Sequence, residues 1–410
     1  MFSLFGSTVA YFVLIWWLTI ITGSAIILAV ASFITILIST ICMPIAGVFS
    51  DKLNRKTMIL IVDSLQAYTT LILTILFQFN LMSVLIVLIF MSARSIFQAF
   101  HAPTVAAITP SMVPLEKLIR INSISFLFLG VIQIFAQLIA AILWLLFPVN
   151  VILWIDIITF IIALIPLIIV KIPLINKKSL GVMEEQEKNS FFKDFRLGFK
   201  TLKAIPGLLI ILVMFTIITF LMAPLKTLMS LYVHNVHGGQ AGHYALTLTF
   251  FQGGIVIGAV ITSIKKDWTH KVRTIFISNG IGMVGITIFA LAPKGFYLII
   301  AGGAVLMGLT LPIVSSLTTT FIQTTVPPDK MGRVSSISSA LSASILPIGT
   351  ILSGPLAEIL GISSLFFYSA ILGLIVIASI WTLTNIRKVD LDKVAENREI
   401  INEKINNISI

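Results

Sequence analysis

The chain has 410 residues, of which 58% are hydrophobic and only 10% charged. Its mean hydropathy is +1.09. A soluble domain carries roughly 25% charged residues, so this balance excludes one and indicates a polytopic membrane protein. The formal charge of +11 does not imply nucleic acid, because the cations fall in short links between apolar runs rather than on one solvated domain.

The first apolar run, Met1 to Ile21, carries Trp16 and Trp17 near its end, where aromatic rings favour the membrane interface. No basic region or small-residue cleavage site marks it as a removable signal. Thr22-Gly23-Ser24 turns the chain into a second run, about Ala25 to Phe49, which contains the single cysteine, Cys42. With one cysteine there is no disulfide and no thiolate metal site to expect. A charged turn follows, Asp51-Lys52-Leu53-Asn54-Arg55-Lys56, and then a third run from Met58 to Phe79. Both flanking runs reach the ~20 apolar residues that span a bilayer core. Lys and Arg in such a short turn place it on the cytoplasmic side.

The fourth run, about Leu81 to Ile108, contains Arg94, Gln98 and His101. The fifth is about Ile121 to Phe147, and the sixth, Val151 to Val170, contains Asp156. Lys171 to Lys203 is the long polar stretch of the chain and is expected to be a cytoplasmic linker, amphipathic and helical through Phe191 to Leu202. Six further runs follow, near Leu208–Tyr232, Tyr244–Ile264, Thr274–Ala292, Phe296–Ile322, Ile337–Leu356 and Leu365–Leu383. With both termini inside, every Lys and Arg except Arg94, Lys226 and Lys294 falls in an inner loop or the tail, which supports the assignment. The expected boundaries are a first bundle at 1–172, a linker at 173–205, a second bundle at 206–385 and a cytoplasmic tail at 386–410.

The halves repeat. Val113-Pro114-Leu115-Glu116-Lys117-Leu118-Ile119-Arg120 matches Val326-Pro327-Pro328-Asp329-Lys330-Met331-Gly332-Arg333, each copy between the fourth and fifth runs of its half. Two parallel six-helix repeats are the reading. Each copy sets an acid four residues before an arginine at a helix start, Glu116 with Arg120 and Asp329 with Arg333, where both suit the helix dipole and each other. A weaker repeat, Met58 to Asp63 against Val151 to Asp156, opens the third run of each three-helix unit.

Enzyme motifs are missing: there is no G-x-x-x-x-G-K-[ST], no H-E-x-x-H and no nucleophile elbow. No cofactor or metal is expected, and the spacing of His234, His237 and His243 lacks a ligand pattern. Charges inside the spans are the functional candidates, because each is costly unless paired or hydrated. A rise of ~1.5 Å per residue sets Asp63 and Arg94 within roughly 7 Å in depth, close enough for a long Arg side chain. They are expected to serve as a coupling or packing pair, with Gln98 one turn away. Asp156 is a further candidate for coupling or the substrate path, with a hydrated or hydrogen-bonded place near a helix end as the alternative; His101 is read as a satisfied interior histidine and Lys226 as snorkelling.

Gly47, Asp51, Arg55 and Lys56 stand at the spacing G-x-x-x-D-x-x-x-R-K, which resembles the loop signature of the major facilitator superfamily of transporters. Phe100-His101-Ala102-Pro103, Ile108-Thr109-Pro110, Gly332-Arg333 and Ser353-Gly354-Pro355-Leu356-Ala357 extend the resemblance to its macrolide-efflux branch, from Trp16-Trp17-Leu18-Thr19 to the last run. The fifth run has no Gly-Pro signature of drug:proton antiporters. Relatives begin with a basic cytoplasmic segment, whereas this chain starts inside its first run, so a truncated first helix is expected.

The resemblance implies the major facilitator fold: an all-α protein with twelve transmembrane helices in two pseudo-symmetric six-helix bundles. It implies a monomeric multi-pass protein of a bacterial cytoplasmic membrane that exports amphipathic compounds, macrolide-like drugs among them, by proton-coupled alternating access. The loop signature would gate that cycle. The rival readings are a siderophore or metabolite exporter, an uptake permease, an inactive non-transporting paralogue and, most distantly, a membrane enzyme.

Overall fold

The computed structural model describes residues 2–52, 54–112, 115–169, 199–265 and 268–389. Most of the polar linker and the end of the tail therefore lie outside the described residues; 199–204 is helical. In chain order the helices are α1 (Phe2–Thr22), α2 (Ala25–Lys52), α3 (Arg55–Gln78), α4 (Val84–Met112), α5 (Leu115–Leu146), α6 (Val149–Ile169), α7 (Leu208–Leu231), α8 (Ala241–Ile264), α9 (Lys271–Ala290), α10 (Tyr297–Thr325), α11 (Pro328–Leu360) and α12 (Ile362–Leu383). All 12 are long and apolar enough to cross a membrane, and no strand occurs among the described residues.

The helices begin and end where the backbone chemistry allows. Asn54 caps α3, its side-chain oxygen accepting from the amides of Lys56 at 3.0 Å and Thr57 at 3.4 Å. The α11–α12 link turns at Gly361, whose φ of +81° suits a residue without Cβ. Several helices outrun the apolar spans read from sequence. The fourth ends at Met112 rather than Ile108, the fifth starts at Leu115 rather than Ile121, and α11 spans Pro328–Leu360. Hydropathy reports the part that matches hydrocarbon, while backbone hydrogen bonding carries a helix on into polar surroundings. The 33 residues of α11 rise about 50 Å, against a hydrocarbon core of about 30 Å. Both copies of the repeated turn open a helix, at Leu115 and at Pro328.

Large apolar side chains stand outward along many of these helices: Ile41, Leu85, Leu298, Ile359 and Leu383 are all exposed. In lipid that arrangement is favourable, and it removes solvent exclusion as the force between helices, leaving close packing and polar contacts.

Two compact units emerge, one from Met1–Gly181, Thr227–Gln252 and Thr350–Ile359, the other from Val182–Lys226, Gly253–Gly349 and Leu360–Ile410. In the first, α1 packs on α5 and α6, α2 on α4, and α3 on both α4 and α6. There the C-terminal part of α7, which continues as a π-helical turn Tyr232–Val236, and the start of α8 meet α1 through aromatic rings. Tyr244 stacks on Phe12 at 5.1 Å and on Trp16 at 5.7 Å, and His234 lies edge-on to Trp16 at 5.6 Å. One turn further along α1, the Thr19 hydroxyl donates to Ser230 Oγ at 2.8 Å. In the second unit α9 packs on α10 and α12. A Cβ at Gly285 would lie 2.9 Å from the Gly303 carbonyl oxygen, and one at Gly303 would lie 2.7 Å from that of Gly285. Backbone meets backbone at this crossing, as small residues permit in membranes.

Candidate functional site

The charged and polar side chains inside the first unit gather at two levels. The deeper one is built on Asp156 of α6, whose side chain is 5% exposed. Its Oδ2 accepts from Arg94 Nη1 of α4 at 2.6 Å and from the Thr70 hydroxyl of α3 at 2.7 Å. Its Oδ1 accepts from the Ser7 hydroxyl of α1 at 3.0 Å, and Ser7 in turn accepts from Gln66 Nε2 at 2.8 Å. Arg94 Nη1 also reaches the Thr70 hydroxyl. Four helices are tied together by one carboxylate with both oxygens occupied and its charge balanced. Charge-assisted bonds of this length are the strong class.

Local sequence makes the convergence possible. Gln66 and Thr70 are four apart and share one face of α3. Gly6 brings α1 against α6: a Cβ there would stand 2.7 Å from Asp156 Cα and would also collide with the Thr159 hydroxyl. Thr159 satisfies its hydroxyl on the Ile155 carbonyl at 2.8 Å, so the α6 surface facing Gly6 presents no unpaired donor.

The second level is a pair. His101 Nε2 of α4 lies 3.5 Å from Asp63 Oδ1 of α3, with side-chain exposures of 23% and 9%. Asp63 precedes Gln66 by three residues on the same α3 face, so the two levels adjoin along one helix.

Arg94 therefore pairs with Asp156, and Asp63 with His101, which corrects the expected Asp63–Arg94 pairing. Register explains it. From the helix ends, Arg55 and Met112, a rise of 1.5 Å per residue sets Asp63 about 12 Å deep and His101 about 16 Å. On the same scale Thr70 lies about 22 Å deep and Arg94 about 27 Å. Each residue meets the one closest to its level. Gln98 is exposed and joins neither group. Ser7, Gln66, Thr70 and Gly6 escape the sequence reading, although the i, i+3, i+7 spacing of Asp63, Gln66 and Thr70 is a legible polar stripe.

In the loop signature, Lys56 Nζ donates to the Ile168 carbonyl at 2.7 Å, a cation at the carbonyl end of α6 where the helix dipole favours it. Arg55 opens α3. Among the described residues, nothing lies within 4 Å of a Cβ built at Gly47. The side chains of Asp51, Glu116, Arg120 and Asp329 lie outside the described part of the structure. Arg333 is half-buried and Lys330 buried. Lys226 is exposed on α7. His234 Nδ1 lies 3.1 Å from the Gly239 carbonyl, and His243 Nδ1 accepts from the Gln240 amide at 3.1 Å. Among the described residues no group of three His, Cys, Asp or Glu side chains could hold a metal.

The constellation is a hydrogen-bonded network around one ion pair, with a carboxylate–imidazole pair beside it. It holds helices together and carries titratable groups within the membrane, which suits translocation rather than bond chemistry. The model of the Major Facilitator Superfamily matches residues 1–347. Macrolide efflux protein A of Streptococcus pyogenes is 31% identical over 392 residues, 95% of each chain. The protein of the same name from Enterococcus faecalis is 30% identical over 330 residues, 80% of this chain and 99% of that protein. Among solved structures, a bacterial homologue of the iron transporter ferroportin in an inward-facing state superposes with a TM-score of 0.71 at 14% identity, covering 93% of this chain and 96% of that one. The nucleoside transporter NupG gives 0.67 at 11%, covering 93% and 98%. At these identities the likeness is one of fold, a fold shared by transporters.

Proposed function

We propose that this chain, which belongs to the Major Facilitator Superfamily, exports amphipathic compounds, macrolide-like drugs among them, from a bacterial cell by proton-coupled alternating access. That it is a multi-pass membrane transporter rather than an enzyme follows from the family and the twelve spans. The observation that carries the finer reading is the 31% identity to Macrolide efflux protein A over 95% of both chains. An end-to-end match of that kind includes the helices that would line a substrate path as well as those that face lipid.

The geometry supports an ion gradient as the energy source. The chain has no phosphate-binding loop, so uphill movement needs another source of free energy, and the first bundle holds buried Asp, His and Arg side chains within its spans. The distribution of Lys and Arg supports both termini on the cytoplasmic side. On this reading the loop signature at Gly47, Asp51, Arg55 and Lys56 and the symmetric turns at Glu116, Arg120, Asp329 and Arg333 belong to the cytoplasmic end of the transport cycle. The transporter works as a monomer in the lipid bilayer, on a small substrate and protons.

The test is uptake into everted membrane vesicles with an imposed pH gradient, acid inside, across a panel of labelled macrolides and unrelated amphipathic drugs. Accumulation that collapses when the gradient is discharged is the expected result. Gradient-independent signals equal to those of vesicles lacking the protein, for every compound, would remove the proposal.

A further inference from the structure

We propose that the Asp63–His101 pair is the proton-binding site of the transporter, while Arg94–Asp156 is a fixed charge pair that does not exchange protons during the cycle. The inference rests on the proton-coupled reading above and assigns that coupling to particular atoms.

The two carboxylates differ in what surrounds them. Both oxygens of Asp156 are committed, Oδ1 to Ser7 and Oδ2 to Arg94 and Thr70. Adding a proton there would displace a donor and leave the Arg94 guanidinium uncompensated in low dielectric, which is costly. Among the described residues, Asp63 has no hydroxyl or guanidinium donor. Its partner is His101 Nε2 at 3.5 Å, beyond the roughly 2.7–2.9 Å of a formed charge-assisted bond. The pair is slack, and the imidazole is the side chain whose ordinary titration falls near neutral pH.

Charge counting gives the pair two states. With one proton held between Asp63 Oδ1 and His101 Nε2, the site is neutral, whether as imidazolium with carboxylate or as imidazole with carboxylic acid. Without it the site carries one net negative charge. Apart from the amino terminus, whose positive charge also acts on both groups, no charged group among the described residues offsets that charge. From α4 the facing groups are His101 and Arg94, from α6 Asp156, and the last two neutralise each other. The residues of α1 and of α2 through Phe49 include no charged side chain. An unprotonated site therefore needs water, and the His101 side chain, 23% exposed, is the more open part of the pair. The protonated, neutral site tolerates dehydration. Proton occupancy thus biases which access state is favoured, and a bias of this kind is what coupling requires. Gln66, one turn beyond Asp63 on α3, donates to Ser7 and so joins the site to the Asp156 network.

Asp63→Asn, His101→Gln and Asp63→Glu test this in two assays on vesicles. One is export driven by a pH gradient; the other is counterflow of labelled against unlabelled drug at equal pH, which needs alternating access but no net proton movement. We expect Asp63→Asn and His101→Gln to lose driven export by at least about tenfold, the change in occupancy that one pKa unit makes. Counterflow should stay within about twofold, and Asp63→Glu should recover much of the driven rate because it keeps the exchangeable carboxyl. A substrate-free measurement accompanies them: the ring resonances of the protein labelled with 15N-histidine in nanodiscs, with His101 assigned among the five histidines by its loss in His101→Gln. Its titration should move in Asp63→Asn. Driven export within about twofold of the parent in both neutral variants would overturn the assignment, as would equal losses in both assays or a His101 titration indifferent to Asp63. If the parent itself shows counterflow without gradient dependence, the coupling reading fails first, and if it shows neither, the export reading fails.

Discussion

Removing Arg94 tests whether the deeper network is a structural clamp. In Arg94→Ala, Asp156 keeps the Thr70 and Ser7 hydroxyls but loses its counter-charge, at a site where the two side chains are 10% and 5% exposed. A hydrogen bond to a charged group contributes about 1.5–3 kcal/mol. Leaving the partner charged and buried brings the loss for breaking such a pair to about 3–5 kcal/mol. Polar contacts between membrane helices average less, about 0.6 kcal/mol, because side chains in the unfolded membrane state also find partners. Those averages concern side chains that stay neutral, whereas Arg94→Ala strands a carboxylate, so the larger figure should govern. Asp156→Asn strands the guanidinium and should cost a similar amount. Replacing both at once, Arg94→Met with Asp156→Leu, leaves no charge behind. Thr70 can still donate to the Gln66 carbonyl at 3.1 Å, so the double variant should return to within about 1–2 kcal/mol of the parent. Reversible unfolding in mixed micelles, read for the parent, Arg94→Met, Asp156→Leu and the double variant as a double-mutant cycle, measures the coupling, expected at about 4 kcal/mol or more because two such single losses far exceed the loss in the double variant. Single losses under about 1 kcal/mol, or a double variant worse than either single one, would refute the account of the clamp.

Other expected outcomes concern helix contact and cycling. Gly6→Ala must push α1 from α6, since its Cβ would lie 2.7 Å from Asp156 Cα; a loss of about 1–3 kcal/mol in the same unfolding assay is expected, and an unchanged midpoint would contradict the close approach. Thr19→Cys with Ser230→Cys, in a Cys42→Ser background, should form a disulfide on mild oxidation, because the parent hydroxyls are 2.8 Å apart. Transport should stop until a reductant is added, and full activity in the cross-linked protein would show that α1 and α7 need not part there. Asp51→Asn should slow turnover about threefold or more with little change in the half-saturating drug concentration, because a gating side chain acts through the balance of access states; an unaltered turnover at equal membrane levels ends the gating assignment.

The spans were legible because hydropathy and loop charge are local properties, and the structure has a helix at each of the twelve positions read from them. Pairing was not legible, for a geometric reason. Extending α4 to Met112 moves Arg94 away from Asp63 and toward Thr70, so a few residues of boundary choose between two partners. The role of Asp156 depends on donors from α1, α3 and α4, three elements that no spacing along α6 could reveal. Ser7 and Gly6 gave no signal because a small residue in an apolar helix is ordinary until a neighbour is known to press against it. Gln66 and Thr70 could have been found, since with Asp63 they line one face of α3.

Helix α1 gives these pieces a common mechanical element. Near its start, Gly6 and Ser7 fasten it to the Asp156 network. Phe12, Trp16 and Thr19 then engage Tyr244 of α8, His234 of the π-helical turn and Ser230 of α7. Ser7 and Thr19 are twelve residues apart on one unbroken helix, about 18 Å along its axis. A helix of that length without an internal proline moves as a rod. Its two ends differ in how readily they release. Asp156 holds α1 through a hydroxyl in a charge-balanced network, whereas the other end relies on ring stacking worth about 0.5–1.5 kcal/mol per pair and one neutral hydrogen bond. If an access transition moves α1, the aromatic end is the one that gives way, and the Asp156 end is the pivot. That division places the fixed charge pair where stiffness is useful. It also leaves the slack Asp63–His101 pair, one helical turn from Gln66 on α3, as the part of the first bundle free to change its charge without loosening the clamp.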